Sequence, residues 1–127
     1  MEGLDDRLIP GGALSVDPHL PYHELEKFGL AFLNKFEGIQ SSSPILQSVS
    51  FVDSPGVLSG EKQSHSRGYN FVEVCSWFAD QADMIIVLFD ADKLDISDDL
   101  RDVLLGILPN REKIRFVLNK ADQVSDL

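Results

Sequence analysis

The hydrophobic pattern of this chain has helical spacing in three stretches. Apolar side chains recurring every three to four residues predict a helix over 22–36 and another over 70–81. A third helix is predicted after Ser97, whose hydroxyl is a good N-cap, and acidic residues in its first turn suit the helix dipole. Its apolar positions continue to Leu108. Three amphipathic helices are therefore expected.

Four other segments have the composition of β-strands. They are 13–17, 46–53, 84–89 and 114–118, all rich in β-branched, aromatic or other apolar residues. The segment 84–89 is apolar without interruption and 114–118 is apolar except for Arg115, which predicts strands buried on both faces. Residues 57–68 are polar and contain glycine, which predicts a mobile loop.

The order of these elements predicts the fold class. From Leu46 onward the order is β-α-β-α-β, and helical crossovers indicate parallel strands in a three-layer α/β sheet. Such sheets bind ligands beyond the carboxyl ends of their strands. Here those ends carry the polar segments 53–56, 90–92 and 119–122. We therefore expect the functional site along this edge of the sheet.

Composition narrows the classes of ligand. The 127 residues carry 11 basic and 21 acidic side chains, a net charge of −10, so binding of nucleic acid or anionic lipid by charge alone is excluded. A single phosphate group can still be held by backbone N–H groups and a magnesium ion. The sequence has a single cysteine, Cys75, and contains neither an apolar run long enough to span a bilayer nor a signal-peptide pattern. These features predict a cytoplasmic protein.

The segment after the last predicted strand has the chemistry of a purine site. Asp122 can accept two hydrogen bonds from a pair of donors on a guanine edge. Asn119 can bond the base or brace neighbouring loops, and the aliphatic stem of Lys120 can cover the ring. Alone, such a string also fits an ordinary polar turn.

A second motif, Asp53-x-x-Gly56, follows an earlier predicted strand. Asp53 is placed to hold a magnesium ion through water, since Mg²⁺ keeps much of its hydration shell. Gly56 lets a backbone N–H approach a terminal phosphate without a Cβ in the way. Alone this is a Ser-Pro-Gly turn, but two such motifs at matching strand ends favour a nucleotide site.

These two motifs resemble the third and fourth nucleotide motifs of P-loop G domains. The surrounding sequence resembles, more narrowly, the EH-domain-containing dynamin-like ATPases in 12–18, 28–36, 53–63, 66–71, 88–98 and 117–123. The resemblance implies a dynamin-type G-domain fold, Mg²⁺ with ATP or GTP, and assembly with copies of itself or full-length relatives. It also implies remodelling of endosomal or plasma membranes in endocytic recycling.

One motif of that family is not found in these 127 residues, namely G-x-x-x-x-G-K-[ST]. The resemblance therefore implies that 1–127 is the C-terminal part of an incomplete nucleotide-binding domain. The P-loop would precede Met1, and the membrane-binding stalk and EH domain would follow Leu127. We expect millimolar nucleotide affinity at best and no hydrolysis by this chain alone. The geometry at Asp122 favours guanine, whereas the resemblance implies adenine.

Two alternatives use other features of the sequence. An apolar strand ending in Asp90-x-Asp92 fits phosphatases in which the first carboxylate attacks phosphorus and the second is the acid/base, although Leu94 replaces the usual Thr or Val. The other alternative is a non-catalytic fragment that pairs with full-length relatives. It would use the apolar stripe of 22–36 and the uncovered sheet.

Overall fold

The computed structural model describes residues 6–57 and 67–124 of the chain. The chain divides into two compact units. Of the described residues, 6–54 and 67–70 belong to the first unit, and 55–57 and 71–124 belong to the second. Each unit has its own buried apolar residues and is treated separately.

The first unit contains a small antiparallel sheet that the hydrophobic pattern did not predict. Leu8 of its first strand lies opposite Ile39 of its second. In chain order the elements are strand β1 (Arg7–Pro10), helix α1 (Gly11–Val16), a 3-10 helix (His23–Phe28), helix α2 (Leu30–Leu33), strand β2 (Glu37–Gln40) and another 3-10 helix (Pro44–Gln47). The buried apolar side chains of this unit are Leu14, Leu25 and Phe32.

Two predictions for this unit are wrong. The segment 13–17 lies mostly within helix α1 and is not a strand. The helix begins at Gly11, where a Cβ would come within 2.5 Å of the carbonyl oxygens of Leu33 and Phe36. The continuous helix over 22–36 is interrupted at Gly29, which has a φ of +84°. Only glycine adopts such a φ readily, so the stripe is divided into a 3-10 helix and α2.

The predicted strand over 46–53 is also wrong. A 3-10 helix with Pro44 in its first turn covers the start of the segment, and no regular secondary structure follows up to Val57. A strand is stable when a neighbour pairs with its backbone groups. Among the described residues, β1 pairs with β2 and β3 with β4, which leaves this segment without a strand partner.

The second unit follows the predicted alternation of helices and strands. Helix α3 confirms the predicted helix over 70–81, and the predicted N-cap Ser97 accepts a hydrogen bond from the backbone N of Leu100 at 3.2 Å. The elements are helix α3 (Phe71–Gln81), strand β3 (Ile85–Asp90), helix α4 (Asp98–Ile107), a 3-10 helix (Leu108–Lys113), strand β4 (Ile114–Asn119) and a short 3-10 turn (Ala121–Gln123). Strands β3 and β4 are paired in parallel, as predicted.

Helices α3 and α4 pack closely at a glycine. A Cβ on Gly106 of α4 would lie 2.8 Å from the Ser76 hydroxyl and 2.9 Å from a methyl group of Val72, both on α3. Glycine is therefore required for this helix separation. The buried apolar residues of the unit lie on both helices and are Phe71, Val74, Trp77, Ala79, Val103 and Ile107.

The prediction that β3 and β4 are buried on both faces is wrong. Ile86 and Leu88 are 57% and 62% exposed, whereas the alternate positions Ile85, Val87 and Phe89 are less exposed. Phe116 and Leu118 of β4 are 65% and 58% exposed. An apolar run predicts burial only where helices cover both faces, and the described helices of this unit leave these side chains in solvent. The α/β class is confirmed, while the three-layer sheet stays a prediction.

Candidate functional site

The carboxyl ends of β3 and β4 lie side by side. Asp90 is the register partner of Asn119, and one further bond continues the ladder, because the backbone N of Ala91 donates to the carbonyl of Asn119 at 2.9 Å. Equal strand lengths and parallel pairing therefore bring the segments 90–92 and 119–122 to one edge of the sheet. This is the edge at which α/β folds bind ligands.

Lys120 has an unusual backbone conformation. Its φ of 56° and ψ of 33° are left-handed, and within 6–57 and 67–124 it is the one non-glycine residue with a positive φ. Such a conformation costs on the order of 1–3 kcal/mol and persists where surrounding contacts enforce it. The Asn119 side-chain oxygen accepts from the Lys120 backbone N at 3.0 Å, and the Lys120 carbonyl accepts from the Gln123 N at 3.0 Å. Asn119 therefore braces its own loop.

The Lys120 ammonium is paired with a carboxylate from the neighbouring strand. Its Nζ donates to Oδ2 of Asp90 at 2.8 Å, with 44% of the lysine side chain and 38% of the aspartate side chain exposed. The hydrogen bond to Asp90 and the charge of Asp90 raise the pKa of Lys120 above its ordinary value, and Asp92 adds to this weakly. At this exposure water screens the pair, so it orients the lysine more than it stabilises the fold.

Asp122 lies in the exposed 3-10 turn that follows Lys120. Asn119 and Lys120 are exposed as well, so the loop offers a carboxylate, an amide and a lysine stem to solvent within four residues. An exposed carboxylate accepts hydrogen bonds from two donors, and an aliphatic stem packs on a flat ring. This set of groups is able to hold a purine base.

The other predicted motif is less regular. Asp53 and Gly56 are both exposed and lie in a segment without secondary structure, so no strand directs the Asp53 carboxylate. The division between the two units falls between them, with Asp53 in the first and Gly56 in the second. The structure thus brings Asn119, Lys120 and Asp122 together in the second unit, while Asp53 belongs to the first. The loop predicted over 57–68 lies mainly outside the described residues.

The donor chemistry of the chain fits a magnesium ion shared with a nucleotide. In the described ranges no group of three His, Cys, Asp or Glu residues is placed to hold a metal. Mg²⁺ is commonly bound by one or two carboxylates, with phosphate and water oxygens supplying the other positions. The exposed Asp53 carboxylate is a suitable oxygen ligand for that arrangement.

Asp90 is the residue of this edge whose contact the sequence did not predict. Its apolar strand suggested a phosphatase nucleophile, whereas the structure pairs its carboxylate with Lys120. A signal was present in the sequence: two apolar runs of similar length each end in a polar motif. Parallel register then places Asp90 beside Asn119.

The second unit has α/β structure, and its polar loops lie at the carboxyl ends of two parallel strands. Residues 21–121 match a family model described as the Dynamin family. The chain belongs to the dynamin family, whose domain has the P-loop NTPase G-domain fold. In the described part of the chain no helix is both long enough and apolar enough to cross a bilayer.

Individual relatives agree with this assignment. The chain is 52% identical over 124 residues to EH domain-containing protein 1 and EH domain-containing protein 3 of Homo sapiens and to EH domain-containing protein 2 of Arabidopsis thaliana. Each alignment covers 98% of this chain and 23% of the relative, so the chain spans about a quarter of the length of these curated relatives. The predicted resemblance to EH-domain-containing dynamin-like proteins is confirmed.

Proposed function

We propose that this chain is the nucleotide-binding portion of a dynamin-like ATPase that remodels membranes in endocytic recycling and vesicle traffic. The observation that carries the proposal is the loop Asn119, Lys120 and Asp122, held in one conformation at the carboxyl end of a parallel strand. Membership of the dynamin family supports the same conclusion. The family match includes Asp90 and Asp92, and it gives the phosphatase alternative no support.

In this proposal the base is recognised by three side chains with different tasks. Asp122 accepts hydrogen bonds from the edge of the base, and the Lys120 stem covers its face. Asn119 fixes the loop through its bond to the Lys120 backbone. A carboxylate facing a guanine edge meets two donors, whereas adenine offers one donor and one acceptor there. The resemblance to EH-domain-containing dynamin-like ATPases implies adenine instead, so the choice of base is a result of the experiment below.

The phosphate end of the nucleotide is assigned to Asp53 and Gly56. Asp53 would hold the magnesium ion through water, and Gly56 would admit a backbone N–H close to the terminal phosphate. When bound, the ion neutralises the negative charge of the phosphates. Because the chain itself has a net charge of −10, this positive charge has to be supplied locally at the site. The 127 residues contain no G-x-x-x-x-G-K-[ST] motif, so we propose that the isolated chain binds nucleotide about millimolar or weaker and does not hydrolyse it.

The test is an NMR titration of the ¹⁵N-labelled chain with Mg²⁺-ATP and, separately, with Mg²⁺-GTP. The nucleotide concentration is raised to about 10 mM, roughly tenfold above a millimolar Kd. We expect amide shifts in residues 119–123. Asp122→Asn should weaken binding about tenfold, since a charge-assisted hydrogen bond is worth about 1.5–3 kcal/mol.

The matched control is Asp83→Asn, which removes the same charge from an exposed residue just before β3, at the opposite end of the strand. It should bind like the wild type. Shifts of equal size in the two variants, or no shifts in the wild type up to the highest concentration, would refute the proposed site. The nucleotide with the lower Kd identifies the preferred base.

A second candidate function is association with a full-length relative without catalysis. The observation that favours it is the exposed apolar surface formed by Ile86, Leu88 and Val117 on one face of the parallel pair. Soluble proteins rarely leave such a surface uncovered. Co-purification of the chain with an intact EH domain-containing relative, lost on Leu88→Asp, would support this function. Retention of the complex by that variant would refute the assigned surface.

A further inference from the structure

The ion pair between Asp90 and Lys120 connects the two strand ends that meet at the proposed base site. Lys120 belongs to the loop after β4, and Asp90 ends β3. The two strands are joined there by the register pair and by the bond from Ala91 N to the Asn119 carbonyl. Asp90 therefore occupies a fixed position, while the lysine side chain has several rotatable bonds.

We propose that Asp90 is a positioning residue of the base site: by holding the Lys120 ammonium at 2.8 Å, it keeps the lysine stem in the place where it covers a bound purine ring. This inference rests on the proposed function. A free lysine stem would lose rotamer freedom when it packs on a ligand, and such a loss weakens binding. A stem already held through its ammonium has lost part of that freedom before the ligand arrives.

The exposure of the pair favours a positioning role for Asp90 over a role in stabilising the fold. Both side chains are more than a third exposed, and ion pairs of this kind contribute little to folding. The strained backbone of Lys120 is braced separately, by Asn119 on one side and by the turn to Gln123 on the other. Removal of the Asp90 charge should therefore leave the loop conformation intact and release only the side chain.

The experiment is a double-mutant cycle on the full 127-residue chain, with the Kd for Mg²⁺-ATP and Mg²⁺-GTP measured from the ¹⁵N titration. The variants are Asp90→Asn, Lys120→Met and the double variant. Methionine keeps an unbranched apolar stem and removes the ammonium. Asp95→Asn is the control, because Asp95 is an exposed carboxylate in the loop after β3 with the same charge change.

We expect Asp90→Asn to weaken binding about two- to fivefold, the range for an exposed ion pair. Lys120→Met should weaken binding by a similar factor. The double variant should be no weaker than either single variant, because both substitutions release the same stem. Asp95→Asn should bind like the wild type. The amide signals of residues 119–123 in the free Asp90→Asn variant should stay close to their wild-type positions.

Three results would overturn the inference. They are wild-type affinity in Asp90→Asn, additive losses in the double variant, and displacement of the loop signals in the free Asp90→Asn variant, which would show a role in folding the loop. In each case the wild-type chain still binds nucleotide and the proposed function stands. A wild-type chain that binds neither nucleotide overturns the proposed function, and the inference with it.

Discussion

The contact between α3 and α4 at Gly106 gives the sharpest stability prediction. Gly106→Ala places a Cβ 2.8 Å from the Ser76 hydroxyl and 2.9 Å from a Val72 methyl, closer than such atoms approach in folded proteins. Val72 is β-branched and has little rotamer freedom. The Ser76 hydroxyl lies within hydrogen-bond distance of the Val72 carbonyl at 2.8 Å and the Gly106 carbonyl at 3.2 Å, so moving it weakens these contacts.

The magnitude follows from three terms. Overpacking costs about 1–3 kcal/mol, and a weakened hydrogen bond about 1 kcal/mol. Alanine in a helix interior is about 1 kcal/mol more favourable than glycine, which opposes the first two terms. We therefore expect Gly106→Ala to lower the free energy of unfolding by about 2 kcal/mol. For a chain of this size the midpoint of thermal unfolding should fall by about 5–10 °C.

Urea unfolding followed by circular dichroism at the helix band measures this change. Gly12→Ala is the matched control, because Gly12 lies in α1 and a Cβ there meets nothing within 4 Å. It should leave stability unchanged or raise it by up to about 1 kcal/mol. If Gly106→Ala proved as stable as Gly12→Ala, the close helix packing described for α3 and α4 would be incorrect.

Two further predictions concern the helix cap and the lysine of the loop. Ser97→Ala should lower the free energy of unfolding by about 1 kcal/mol, because the backbone N of Leu100 loses its hydrogen-bond acceptor. Faster hydrogen exchange of the Leu100 amide and a lower urea midpoint would show this loss, and unchanged exchange would contradict it. The pKa of Lys120 is raised in the folded state, so its pair with Asp90 contributes fully to stability at pH values below the unfolded-state lysine pKa of about 10.4. This contribution is lost as the pH rises through the higher folded-state pKa. The difference in unfolding free energy between wild type and Lys120→Met should stay constant from about pH 7 to 9 and shrink above about pH 10.5; a difference that changes near neutral pH would contradict the assignment.

The second unit could be predicted from sequence because its signals are local. Helix α3 has a regular apolar stripe, and α4 begins at a serine cap followed by two acidic residues. The alternation of strand and helix then determines the parallel pairing of β3 with β4. These features depend on neighbours three or four residues away, or on connection length, and both are visible in the sequence.

The first unit could not be predicted because contacts distant in sequence determine its structure. The apolar stripe of 22–36 looks continuous, yet Gly29 adopts a left-handed φ that ends one turn and starts another. The residues 46–53 have strand composition and no strand partner in the described chain. The sequence motif predicts Asn119, Lys120 and Asp122 as site residues, whereas the left-handed backbone of Lys120 and its pairing with Asp90 are visible only in the structure.

The exposed apolar side chains of the parallel pair also bear on how two copies of this chain interact in solution. Ile86 and Leu88 lie on one face of the pair and Phe116 and Leu118 on the other, and each exposes more than half of its surface. Two copies that touch through such side chains attract at short range, and the net charge of −10 repels them at longer range. Physiological salt reduces the reach of that repulsion to about 8 Å, and the repulsion vanishes near the isoelectric point of 4.5. The excess of acidic side chains thus opposes contact between copies through the exposed apolar side chains of β3 and β4.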